Sequence, residues 1–173
     1  MPDGGQHAPH LALAALVQAY AHDRAVARPR GHVEKVYTAL VEGRPSAAQL
    51  AHLREGIELD DGPTLPAGVR VLEGADGRRA AQLIGEGAGA SGYRQRHGGK
   101  RGRDALAARG SYVEVRLREG RNRQVRRMLE AVGHPVIALH REAFGPLVLG
   151  DLPRGASRPL AEEEVTRLKE LAS

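Results

Sequence analysis

The residues with the most chemical potential sit in one run, Glu119-Gly120-Arg121-Asn122-Arg123-Gln124-Val125-Arg126-Arg127-Met128-Leu129. Arg121, Arg123, Arg126 and Arg127 crowd one helix start, which is what gripping phosphate or carboxylate requires. A guanidinium offers a planar fork of donors, and it stacks on nucleobases as well. Like charges packed this closely repel unless anions lie among them, so the cluster points to an anionic partner. A solvated basic face steadied by Glu119 and Glu130 would have the same sequence. A second candidate lies upstream in Glu34-Lys35-Val36-Tyr37. In an extended chain Lys35 and Tyr37 share a face. A tyrosine beside a cation can stack on a base while the cation meets a phosphate. A core-edge tyrosine with a snorkelling lysine is the plainer alternative.

Those side chains need elements to hold them. Residues 32–41 alternate, with Val33, Lys35, Tyr37, Ala39 and Val41 on one side, and read as a strand ended by Glu42-Gly43. Residues 111–118 alternate as cleanly, with Val113, Val115 and Leu117 inward. Gly120 lets the chain turn sharply out of that strand. Val125, Met128, Leu129 and Val132 then follow the spacing of a buried helical stripe, and Gly133 closes the helix. Ser46 and Gln49 form a capping-box pattern opening a short helix that carries Leu50, Leu53 and Ile57. A helix over 9–26, a turn at 60–63, strands over 69–73, 135–140 and 145–149, and a last helix over 162–171 with Leu168 and Leu171 inward complete the reading. The stretch 74–110 is rich in Gly, Arg and Ala and reads as an insertion with disorder in its middle. The element order fits an α+β fold: a mixed, largely antiparallel sheet with flanking helices. Residues 1–31 read as a diverged helix and linker ahead of a domain spanning 32–173.

Composition sets the outer bounds. The chain has 173 residues, enough for one ordinary domain. Only 3% are aromatic, so Val, Leu, Ile and Ala must build the core. There is no Cys, which removes thiolate metal sites and cysteine nucleophiles together. The eight His show no metal-ligand spacing, so no metal is assigned. No apolar run reaches the roughly 20 residues of a membrane span, and the start lacks the pattern of a signal peptide. A cytoplasmic protein with no membrane partner is expected. Net charge is +5, and Lys35, Lys100 and Lys169 are the only lysines, so the basic charge is nearly all arginine. That composition leans toward nucleic acid, although arginine-rich coding would produce it equally well.

The two motifs together resemble the bacterial ribosomal RNA pseudouridine synthases, in the branch that carries a small RNA-binding domain ahead of the catalytic one. The stretches Gly133-His134-Pro135-Val136, Leu139-His140-Arg141, Phe144-Gly145-Pro146-Leu147 and Arg158-Pro159-Leu160 are similar too. The resemblance implies isomerisation of a uridine within RNA, with no metal and no cofactor. It gives Tyr37 the role of the tyrosine that contacts the flipped base and Arg126 that of the basic residue pairing with a catalytic aspartate. Lys35, Arg121, Asn122, Arg123, Gln124, Arg127 and Arg141 become the expected substrate contacts, and ribosomal RNA the expected partner. The family's Gly-Arg-Leu-Asp segment does not occur in this sequence. The expectation is therefore a truncated synthase, inactive alone: either a truncated gene product, or a chain whose aspartate an upstream piece supplies. The alternative is a non-catalytic RNA-binding remnant that keeps the basic cleft, and a basic ribosome-associated protein without a uridine pocket stands third. A sheet lacking neighbouring strands would also expose an edge and associate.

Overall fold

A computed structural model of the protein describes residues 33–87, 109–153 and 156–172. The helix expected over 9–26 lies outside them. His32–Ala156 makes one compact unit, and Ser157–Ser173 belongs to another.

In the larger unit the elements run β1 (Lys35–Val41), α1 (Ala47–Glu55), β2 (Glu58–Leu59), β3 (Gly62–Pro63), β4 (Gly68–Leu72), α2 (Gly74–Gly87), β5 (Ser111–Leu117), α3 (Gln124–Ala131), β6 (Val136–Phe144) and β7 (Leu147–Val148). Five strands form one sheet in the order β4-β5-β1-β6-β7, and every pairing in it is antiparallel. The fold is α+β, as the alternating strands and intervening helices imply. The strand that bears Tyr37 lies at the centre, bonded to β5 on one side and β6 on the other.

Each strand presents alternate side chains to opposite faces, and helices cover both. On the first face Ala39, Val41, Val69, Val113, Val115 and Leu117 meet Leu50 and Leu53 of α1 and Val125, Met128 and Leu129 of α3. On the second face Leu40, Ile137 and Ala138 pack with Ile84 of α2. That helix departs from the sequence pattern, which gives residues 74–110 as an insertion with disorder in its middle: the first fourteen of them are helical. Its glycines weaken helix propensity, and burial of Ala80 and Ile84 against the sheet overrides it.

Local chemistry explains the element ends. Ser46 caps α1 reciprocally with Gln49. The Gln49 amide also donates to Val132 O at 2.7 Å and accepts from His134, so the start of α1 is tied to the end of α3. Helix α1 stops at Gly56, and Ile57 lies beyond it, still packed on the core. β6 runs on to Phe144, past the expected end at His140, and β7 is only Leu147–Val148.

In the second unit α4 (Glu162–Ala172) begins with Glu164 accepting from Ala161 N and pairing with Arg158. Leu168 is half-buried, whereas Leu171 is 37% exposed and does not point inward as its spacing suggested. No helix of the described residues is long and apolar enough to cross a membrane.

Candidate RNA-facing site

The strand–helix junction after β5 is built around one carboxylate. Glu119 accepts from Leu65 N at 2.9 Å, from Gln124 Nε2 at 2.5 Å and from Arg121 Nε at 3.3 Å. Its own carbonyl accepts from Lys35 Nζ at 3.4 Å. Gln124 is 3% exposed, and its Oε1 accepts from Arg121 N at 3.0 Å. Its amide is therefore filled by the junction's own backbone and by Glu119. A Cβ on Gly120 would meet only the end of the Lys35 side chain, at 3.4 Å from Nζ, so space alone does not demand glycine here. Arg123, which starts α3, has φ of 51°, a left-handed conformation costing roughly 1–2 kcal/mol for a residue with a Cβ. The surrounding bonds hold it there.

The four arginines of the motif have different fates. Arg121 donates to Asp61 Oδ1 at 3.2 Å, to Gly62 O at 2.8 Å and to Pro63 O. Arg127 donates to Asp61 Oδ2 at 3.0 Å, to Asp60 and to the Asn122 carbonyl. Both guanidinium groups thus clamp the small β2–β3 hairpin. The hydrogen bond from Arg127, then that from Arg121, holds the Asp61 carboxyl well below the usual carboxylate range. Asp60 and Asp61 were legible only as a turn. Their partners lie some sixty residues away, beyond any local pattern. Asn122 and Arg123 are exposed.

Arg126 is half-buried and donates to Val136 O at 2.9 Å. Burial lowers its guanidinium pKa, and the charge of Arg123 adds to the effect. Val136 is in register with Val41, four residues along β1 from Tyr37, a distance of about 13 Å along the strand.

The other half of the site lies on β1 and β6. Lys35 faces Phe144 across the strands, and Tyr37 faces Arg141. The register shifts between those pairs, leaving Glu142 on the opposite face, where it accepts from the buried Thr38 hydroxyl. Lys35 Nζ and Arg141 Cζ lie 5.5 and 5.7 Å from the centre of the Phe144 ring. Burial lowers the Lys35 pKa, Arg141 pushes it the same way, and Glu119 acts against both. Tyr37 packs partly buried against the first-face core. Of the sequence-predicted contacts, Lys35, Tyr37 and Arg141 share one sheet face, and Asn122, Arg123 and Arg126 share the junction. Arg121, Gln124 and Arg127 are engaged within the fold. Glu119 and Phe144 are functional candidates that motif reading passed over, because an acid and an apolar residue carry no signal until their neighbours are known.

The sequence matches no protein-family profile. It is 35% identical over 144 residues to the ribosomal large subunit pseudouridine synthase B of Bacillus subtilis, covering 83% of this chain and 47% of that protein. It is 41% identical over 117 residues to a ribosomal large subunit pseudouridine synthase E of Xanthomonas axonopodis, covering 68% and 53%. The fold is similar to a crystal structure of a pseudouridylate synthase, with a TM-score of 0.57 and 28% identity over 81% of this chain and 46% of that one. The chain spans about half the length of the curated relatives it matches. By sequence and by fold, it is a homologue of part of the ribosomal large-subunit pseudouridine synthases.

Proposed function

We propose that this chain supplies the tyrosine- and arginine-bearing half of an RNA pseudouridine synthase active site and that its substrate is a uridine in ribosomal RNA. The observation that carries the reading is that the two motifs meet at the junction after β5, where Lys35 Nζ donates to the Glu119 carbonyl at 3.4 Å. The central strand presents Tyr37, and the adjoining strand leads into the helix that presents Arg126. Relatives that match across this region are named as synthases acting on the large ribosomal subunit.

In this reading a uridine leaves its stack, at a cost of a few kcal/mol, and Tyr37 offers aromatic contact in return. The N1–C1′ bond breaks and a C5–C1′ bond forms. C5 loses its proton and N1 gains one, so the reaction balances without a cofactor. An aspartate held beside Arg126 stays ionised, ready to act as nucleophile. The sequence contains no Gly-Arg-Leu-Asp segment to provide it. The chain alone therefore binds RNA and does not isomerise it. If it associates with another copy, the outer strands β4 and β7 are the surfaces that do so.

The test is release of tritium from C5-labelled uridine in a ribosomal RNA fragment. The chain by itself should release none. The same chain joined to the aspartate-bearing segment of the Bacillus relative should release it, and Arg126→Met in the joined protein should abolish release. A joined, folded protein that leaves the label in place, or an active one indifferent to both Tyr37→Phe and Arg126→Met, refutes the assignment.

A further inference from the structure

Phe144 is the chain's only phenylalanine, and it stands half-buried at the end of β6. Apolar packing alone does not account for its surroundings. Lys35 and Arg141 place their cations 5.5 and 5.7 Å from the ring centre, and Arg141 is exposed. The backbone that carries it is held on two sides: Phe144 pairs with Leu147 across the β6–β7 turn, and Gly145 N donates to Glu34 O at 2.7 Å. It lies on the Tyr37 face of the sheet, because Lys35 and Tyr37 alternate with Val36 and face Phe144 and Arg141 respectively. Diagonal neighbours across two strands stand roughly 7–8 Å apart, within reach of aromatic side chains. A half-buried aromatic ring on an anchored strand, with two cations near it, matches the chemistry of a single-stranded nucleotide, whose base stacks while its phosphate meets the charges.

We propose that Phe144, with Lys35 and Arg141, is a second nucleotide subsite, holding an unpaired base next to the uridine at Tyr37. This rests on the RNA-modifying reading of the chain. Stacking on Phe144 makes it a positioning residue: it anchors the strand on one side of the target, while the two cations fix the intervening phosphate.

The sequence contains no Trp, so Phe144→Trp installs a lone fluorescent reporter at the subsite. Binding is followed independently by anisotropy of a labelled, unpaired RNA oligomer. Tryptophan emission should be quenched saturably over the same concentrations, and quenching should fall when the positions flanking the uridine are abasic. Phe144→Leu should weaken binding roughly fivefold or more while leaving the slope of log K against log salt unchanged, because a stack is lost and no charge is. Unchanged emission at RNA concentrations that saturate the anisotropy overturns the subsite and leaves the wider reading standing. If the parent chain binds no RNA at any salt, both fall.

Discussion

Replacing Gln124 by Met removes the buried amide of the junction while nearly preserving its volume, so no large cavity confounds the result. Two bonds are lost. One is the neutral bond from Arg121 N to Gln124 Oε1; the other is the bond from Gln124 Nε2 to the Glu119 carboxylate. The first contributes roughly 0.5–1.5 kcal/mol and the second, to a charged acceptor, roughly 1.5–3 kcal/mol. Both ends sit in a half-buried environment, so water replaces them poorly. The sum is about 3 kcal/mol. With a urea m-value of about 2 kcal/mol/M, the unfolding midpoint should fall by about 1.5 M. Circular dichroism during urea titration reads this directly. A midpoint within ~0.3 M of the parent would show that Gln124 is not the brace described here. If affinity for RNA fell while stability held, Gln124 would have to be a substrate contact after all.

Arg121→Ala and Arg127→Ala should loosen the β2–β3 hairpin yet leave the salt dependence of RNA binding unchanged, since Asp60 and Asp61 already neutralise both groups. Arg123→Ala should flatten that slope by about 0.7 on a single strand, measured by anisotropy between low and moderate salt. Gly56→Ala should cost at least about 2 kcal/mol by urea titration, since Gly56 has φ of 99° and a Cβ would sit 2.6 Å from Thr64 O. Glu164 should titrate near 2 by carbon-detected NMR, held down first by Arg158 and then by Ala161 N. Its folded pKa lies below the unfolded one, so its support of α4 is complete above about pH 4.5 and is lost as pH falls toward 2. A titration near the ordinary glutamate value would remove that contribution.

The parts legible in the sequence were those with local causes. The alternation in β1 and β5, the Ser46–Gln49 capping box and the apolar stripe of α3 each state their structure within a few residues. Helix α2 did not, because Gly74, Gly77, Gly85 and Gly87 speak against a helix and only packing under the sheet decides otherwise. The site divided in the same way. Tyr37 and Lys35 were found by alternation, and the arginines by type. Charge alone could not say which arginines the fold consumes, because that depends on Asp60, Asp61 and Glu119 arriving from distant segments. Phe144 has no local pattern that marks it; its two cations converge through the register of β6 on β1.

The central place of β1 has a consequence for how the chain is made. Thr38 and its partner Glu142 are 104 residues apart, and β5, the other neighbour of β1, is also a late arrival. At about 5–20 residues per second, a ribosome has β1 outside for several seconds before either flank exists. Lys35-Val36-Tyr37-Thr38-Ala39-Leu40-Val41 is β-prone and carries a single charge, which is the composition of a segment that seeks any available edge. The strand that carries the candidate catalytic tyrosine is thus open to mispairing during translation, and the yield of this protein should depend on how well that wait is chaperoned.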